Sequence, residues 1–223
     1  MPEGPTSKVA VRCRPLTTNE KNNGATRVIK ISGDKISLHN PISSGSTKES
    51  NFSFDHCYSW EHKTKDVYQD LAEPMIKKAL DGYNVSFVAY GQSGAGKSNT
   101  ILGTIEEPGL VTMVTQMLFT VIDEASSSKD YFVTVSFLEV GDEHVHDLIN
   151  PSGRDLKVRQ HPQLGLYVDD MAEVVVDSSD DVIRLCDQGN RILNLTSDNT
   201  NDVHRSVRKI IFTLQYKYKD LSI

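Results

Sequence analysis

Eight consecutive residues, Gly91-Gln92-Ser93-Gly94-Ala95-Gly96-Lys97-Ser98, combine three glycines, small side chains, one lysine and a terminal hydroxyl. Such a stretch can cradle an oxyanion. Glycines let the backbone curl until several N–H groups converge on one point. A helix starting at the lysine adds its unpaired N–H groups and the positive end of its dipole. The spacing fits G-x-x-x-x-G-K-[ST], in which the lysine reaches the β- and γ-phosphates of a nucleoside triphosphate and the last hydroxyl reaches Mg²⁺. Gly91 to Ser98 is therefore the candidate nucleoside triphosphate site, with Lys97 as its cation and Ser98 as its magnesium ligand. The plain alternative is a Gly/Ser turn carrying a solvated lysine. What separates the two is context, a strand entering the loop and a helix leaving it.

The flanking sequence supplies that context. Val85 to Tyr90 is apolar and bounded by glycine, so it reads as a buried strand running into the loop. Asp66 to Leu80 has helical apolar spacing, with Gly82 just past its end. Val9-Ala10-Val11 reads as a first strand, Arg27 to His39 as a hairpin around Gly33-Asp34, Pro41 to Ser50 as a loop and Phe52 to Phe54 as a short strand. Leu110 to Ala125 is helical, and Tyr131 to Val140 is a long strand rich in β-branched and aromatic residues. Ser178 to Gln188 is a helix with Ser178 as N-cap and Gly189 as its stop, and Ile210 to Tyr218 alternates as a half-buried strand. This mixture predicts a layered α/β domain.

Composition narrows the function. The 223 residues can bury one substantial core, or two small ones. A net charge of −6 argues against broad nucleic-acid binding. No apolar run has the length of a membrane span, and the first residues lack the basic and apolar pattern of a signal peptide. Cys13, Cys57 and Cys186 are far apart and without metal spacing, which predicts reduced, mostly buried thiols. His144 and His146, beside Asp142, Glu143 and Asp147, could suggest a metal, but a solvated acidic loop is the simpler reading. Glu139, within an apolar strand, is expected to be a structural hydrogen-bond partner.

Residues around the loop carry a further signal. Gly82-Tyr83-Asn84 followed by Ala89 to Ser98 closely resembles the ATP site of kinesin motor domains. Val9-Ala10-Val11-Arg12-Cys13-Arg14-Pro15-Leu16 is similar to that family's first strand and R-x-R-P element. Ser136 to Val140 with Asp147-Leu148-Ile149 resembles its long central strand and following turn, and Gly189-Asn190-Arg191 a helix end. Leu156 to Pro162, Gly165 and Tyr167-Val168 are similar to the third, vesicle-transporting kinesin family. The resemblance implies a P-loop NTPase fold, a kinesin-motor-like central mainly β-sheet flanked by helices. It implies ATP/ADP with Mg²⁺ as ligand, microtubules as partner and a cytoplasmic, cytoskeletal location. It also implies that Arg12, Arg14 and Pro15 lie against the adenine.

Some positions depart from the family pattern. Residues 201–208, Asn201-Asp202-Val203-His204-Arg205-Ser206-Val207-Arg208, stand where kinesins carry S-S-R-S-H, the first γ-phosphate sensor, and are expected to form a solvated basic loop. By resemblance, residues 1–223 form a partial motor domain, stopping before the D-L-A-G-S-E sensor. Asn99 replaces a ring that packs on adenine, and Gly141 a frequent tyrosine. Hydrolysis is therefore expected to be slow or missing, because phosphoryl transfer depends on positioning water and stabilising charge. Uncovered sheet edges should make the chain marginally stable or self-associating. Three alternatives stand beside a nucleotide-binding motor fragment. They are a non-motor tubulin- or partner-binding module using Lys157 to His161, an unrelated small P-loop enzyme, and a truncated product without function.

Overall fold

Local capping chemistry starts the first helix. The computed structural model describes residues 7–39, 49–104, 106–126, 129–141, 143–151, 155–162, 165–197 and 206–218. These fall into two units, Met1–Leu110 and Val111–Ile223.

In the first unit, β1 (Ala10–Arg12) is followed by α1 (Thr18–Asn22). Thr17 Oγ1 accepts from Glu20 N–H at 3.2 Å, and Glu20 Oε2 accepts from Thr17 N–H at 2.7 Å, a reciprocal capping box. β2 (Ile29–Ser32), β3 (Lys35–Leu38) and β4 (Ser50–Ser53) form an antiparallel sheet, with Gly33 in the left-handed region at the turn. The predicted hairpin is present. The predicted loop 41–50 lies outside the described residues except at 49 and 50, and Ser50 already belongs to β4. β5 (His56–Tyr58) pairs with β1 in parallel, and Cys13 N–H continues the ladder to Tyr58 O at 2.8 Å.

The helix expected over 66–80 begins earlier and is not uniform. α2 (Thr64–Val67) runs into a π-helical turn, Tyr68–Ala72, and then α3 (Glu73–Leu80). Pro74 explains the widening. It has no N–H for the carbonyl of residue 70, and its ring would press on that carbonyl. Glu73 N–H instead donates back to Tyr68 O, five residues away, which opens the turn. Val67, Ala72 and Ile76 are buried along this segment. Gly82, with φ of 95°, follows its end as predicted.

The buried strand expected at 85–90 is not formed. No ladder includes these residues among those described, and Val88 and Tyr90 are 85% and 98% exposed. An apolar run becomes a strand only when a neighbour takes up its N–H and C=O groups, and none of the described strands does so here. The short helix α4 (Lys97–Ile101) follows the loop.

In the second unit, α5 (Leu110–Ala125) matches its predicted span and buries Val111, Val114, Thr115, Leu118 and Phe119, a helical spacing. Thr115 satisfies its hydroxyl on Val111 O at 2.9 Å. β6 (Lys129–Gly141) extends the predicted strand at both ends. Residues 133–138 are buried without interruption, the mark of a strand covered on both faces. β7 (His144–Asp147) folds back on β6. β8 (Val158–His161) and β9 (Gly165–Val168) form a separate hairpin, and β10 (Val174–Val175) pairs with β6.

α6 (Ser179–Ser197) starts beside Ser178, whose Oγ accepts from Asp181 N–H at 3.2 Å. It does not stop at Gly189. The glycine is buried mid-helix against Phe137 and Leu148. β11 (Ser206–Tyr218) pairs antiparallel with β6 over its whole length, Ser206 opposite Gly141 and Tyr218 opposite Lys129. Ser206 to Arg208 is thus strand rather than the expected basic loop, because the β6 ladder extends to them. Residues 201–205 lie outside the described residues.

Of the thiols, Cys186 is buried, and burial pushes its pKa up to about 12, whereas Cys13 and Cys57 are only half-buried. Among the described residues no helix is long and apolar enough to cross a membrane.

Candidate functional site

The Gly91–Ser98 loop gathers its own side chains and one, Arg14, from just beyond β1. Gly94 and Gly96 are left-handed, with φ of 75° and 96°, a conformation that L side chains rarely adopt. Gly96 is the residue that opens α4. Lys97 Nζ donates to Gly91 O at 2.8 Å and to Gln92 O at 2.9 Å. Arg14 Nε donates to Gly94 O at 2.6 Å. Three loop carbonyls are therefore engaged by cations. That matters electrostatically, since unpaired carbonyl oxygens would repel a phosphate while cations and N–H groups attract it. Ser98 is exposed beside Lys97, and Gln92 and Ser93 are exposed on the loop, with Ala95 half-buried behind them. This donor set fits a phosphate chain with Mg²⁺: Lys97 would supply charge and Ser98 an oxygen ligand.

Arg14 is held on the other side by Glu20. Its Nη1 and Nη2 donate to Glu20 Oε2 and Oε1 at 2.8 and 2.7 Å, and Nη1 also donates to Pro15 O at 2.8 Å. The bidentate geometry is specific to a guanidinium. Glu20, missed by sequence reading, thus links the α1 cap to the phosphate loop. The spacing Thr17-Thr18-Asn19-Glu20 was the available signal.

This pair predicts a pH effect. Bonding from Arg14, then from Thr17 N–H, holds the Glu20 carboxyl down to about 2 from an ordinary 4.5. A carboxyl depressed on folding contributes stability above its unfolded pKa and loses it as pH falls toward its folded one. The Arg14 clamp should therefore be intact above pH 4.5 and released only as pH approaches 2. A carbon-13 titration of the Glu20 carboxyl is the check, and a midpoint near 4.5 would mean that the clamp is not formed.

Arg12 turns to a different set. Nη1 donates to Thr64 Oγ1 at 3.0 Å and Thr100 Oγ1 at 2.9 Å, and Nη2 to Glu107 Oε1 at 3.4 Å. Thr64, Thr100 and Glu107 were not singled out from sequence. Asn99, next to Ser98, is exposed.

The remaining candidates resolve structurally. Asp147 is buried, and its oxygens accept from Ile149, Asn150 and Ala172 N–H. The expected acidic loop at 144–147 is strand β7, in which His144 Nδ1 lies 2.9 Å from Asp155 Oδ2. No group of three or more metal-ligating side chains occurs among the described residues.

Comparison with known proteins decides the family. The kinesin motor domain model matches residues 12–222. The chain belongs to the kinesin motor domain family. Kinesin-like protein KIF1A of Rattus norvegicus is 38% identical over 226 residues, which cover 94% of this chain and 13% of that protein. Kinesin-like protein unc-104 of Caenorhabditis elegans is 38% identical over 223 residues, covering 93% and 14%. Both agree with the likeness to the third kinesin family. Among solved structures, a kinesin motor segment of KIF14 with ADP, in complex with a microtubule, superposes with a TM-score of 0.78 at 30% identity. That match covers 94% of this chain and 62% of the other. The α/β kinesin-motor class read from the sequence is thus the fold found, and the chain spans only a small part of the curated relatives it matches.

Proposed function

We propose that the chain binds ATP or ADP with Mg²⁺ in the Gly91–Ser98 loop, as the nucleotide site of a microtubule-based motor. The observation that carries this reading is the loop itself. Its carbonyls are engaged by Lys97 and Arg14, its left-handed glycines precede a helix, and Lys97 and Ser98 stand at that helix's first positions. Bound nucleotide would place negative charge where Lys97 now holds neutral carbonyls, so Lys97 should exchange those acceptors for phosphate oxygens. Arg12 at the end of β1, with Arg14 and Pro15 just beyond it, would border the same site. Microtubules are the proposed partner, in the cytoplasm, and Val158 to His161 with the basic side chains of Lys157 and Arg159 is the proposed contact.

Fluorescent-ADP titration in Mg²⁺ tests the reading. Wild type should bind in the micromolar range, and Lys97→Ala should weaken binding about tenfold or more, the worth of a charge-assisted hydrogen bond. Equal binding by both proteins would remove the site assignment.

A second reading is a non-motor, kinesin-derived module that keeps nucleotide for stability. Asn99 and the altered 201–208 sequence favour it. Cosedimentation with microtubules that ignores nucleotide state would support this reading, and strong microtubule stimulation of turnover would exclude it.

A further inference from the structure

The turn at 103–109 is built to hold one carboxylate. A Cβ on Gly103 would fall 2.2 Å from Gly109 N, and one on Gly109 would fall 2.3 Å from Gly103 N, so the two strands of the turn touch. Gly103 bridges Pro108, Thr104 N–H donates to Glu107 O at 2.8 Å, and Glu107 N–H donates to Thr104 Oγ1 at 3.1 Å. Glu107 therefore has little freedom. Its Oε1 accepts from Thr64 N–H at 2.5 Å, from Thr64 Oγ1 at 2.6 Å and from Arg12 Nη2 at 3.4 Å. Those bonds, Thr64 first, hold the carboxyl below its ordinary range.

Arg12 passes the restraint on. Its Nη1 donates to Thr100 Oγ1 at 2.9 Å, and the Thr100 hydroxyl donates to Gly96 O at 3.1 Å. Gly96 opens α4 immediately before Lys97. An unbroken path thus runs from Glu107 through Arg12 and Thr100 to the turn that presents the phosphate-binding lysine. A planar guanidinium anchored at one end aims its other donors in fixed directions. Without the carboxylate, Arg12 would lose its anion and its aim, and Thr100 would be free to change rotamer.

We infer that Glu107 is a positioning residue for nucleotide binding, fixing the Gly96–Lys97 turn through Arg12 and Thr100. This rests on the nucleotide reading above, and Glu107 touches no phosphate itself.

Affinity and dissociation rate of a fluorescent ADP with Mg²⁺ test it, on wild type, Glu107→Ala, Glu107→Gln, Thr100→Val and the Glu107→Ala/Thr100→Val double variant. Glu107→Ala should weaken binding about tenfold, mainly by faster dissociation, because a poorly held site loses preorganisation. Glu107→Gln keeps an acceptor for Thr64 and Arg12 without the charge, and should lose only about threefold. Thr100→Val should resemble Glu107→Ala, and the double variant should be little worse than either, as expected of groups in one chain. Thermal midpoints without nucleotide are measured alongside, with affinities compared where each variant is folded. A merely structural role would lower the midpoint and leave the affinity of folded protein unchanged, and that result overturns the inference. So do additive losses in the double variant. If Glu107→Ala does not fold, wild-type affinity in both Glu107→Gln and Thr100→Val overturns it. Wild type that fails to bind, or binding indifferent to Lys97→Ala, sinks the nucleotide reading instead. Binding sensitive to Lys97 but not to Glu107 sinks this inference alone.

Discussion

Replacing Asp147 with alanine is expected to destabilise the second unit by about 3 kcal/mol or more, since three N–H donors lose a carboxylate acceptor at once. Asp147 is 6% exposed. Its Oδ1 accepts from Ile149 N–H at 2.8 Å and Asn150 N–H at 2.9 Å, closing the turn after β7. Its Oδ2 accepts from Ala172 N–H at 2.7 Å, 25 residues away. The carboxylate is buried and Ile149 and Ala172 are half-buried, so water replaces it poorly there and those donors keep much of their desolvation cost, whereas the exposed Asn150 can rehydrate. Against a typical domain stability of about 5–15 kcal/mol, the loss is large. Asp147→Asn separates the contributions. Its carbonyl can still serve Ile149 and Asn150, but its NH₂ would face the Ala172 N–H, donor against donor. Urea unfolding should rank wild type above Asp147→Asn above Asp147→Ala, and amide exchange at Ala172 should quicken selectively in Asp147→Asn. A Asp147→Ala variant within about 0.5 kcal/mol of wild type, the scale of ordinary surface changes, would refute this account.

What the sequence disclosed depended on how local the cause was. The Gly91–Ser98 loop could be singled out because its glycines, lysine and hydroxyl carry their chemistry locally, and the 27–39 hairpin was legible because Gly33-Asp34 marks its turn. β6 was legible from its β-branched and aromatic run, although Lys129 and Gly141 at its ends take their state from β11. Features set by distant partners were not. Arg12 and Glu107 are 95 residues apart, and nothing in Glu106-Glu107-Pro108 announces that the second glutamate serves Thr64 and Arg12. The 85–90 run shows the converse error. Its hydrophobicity specifies that it can be a strand, but hydrogen-bonded neighbours decide whether it is one. Pro74 was passed over in the uniform helix expected at 66–80, although its missing N–H and its ring act on the preceding turn. Ser206 to Arg208 joined a strand because their partners on β6, Gly141 to Glu139, were in place.

Gly189 gives the clearest case of one residue with two readings, and substitution decides between them. As a helix stop, glycine is placed for the left-handed backbone it can adopt, and alanine there would cost about 1 kcal/mol whatever stands at 137. Inside a continuous helix, alanine would gain about 1 kcal/mol of propensity over glycine. The observed packing opposes that gain. A Cβ at 189 would lie 2.5 Å from Phe137 Cδ1, 2.6 Å from Cε1 and 3.2 Å from Leu148 Cβ. Phe137 and Leu148 are 1% and 2% exposed, so neither can swing into solvent. The helix must then move off the sheet, or the ring must leave its rotamer, and overpacking of this kind costs about 1–3 kcal/mol. Two contacts under 3.0 Å on a rigid buried ring put the cost at the upper end, so the steric term wins. Gly189→Ala should therefore destabilise the second unit by a net amount on the order of 2 kcal/mol despite its better helix propensity. Trimming the obstacle supplies the proof. Phe137→Leu alone opens a cavity, but combined with Gly189→Ala it makes room for the methyl, so the double variant should be less destabilised than the sum of the singles. Denaturant melts of the four proteins measure this coupling. Simple additivity, or a stabilised Gly189→Ala, would mean that α6 does not rest on Phe137 through this glycine.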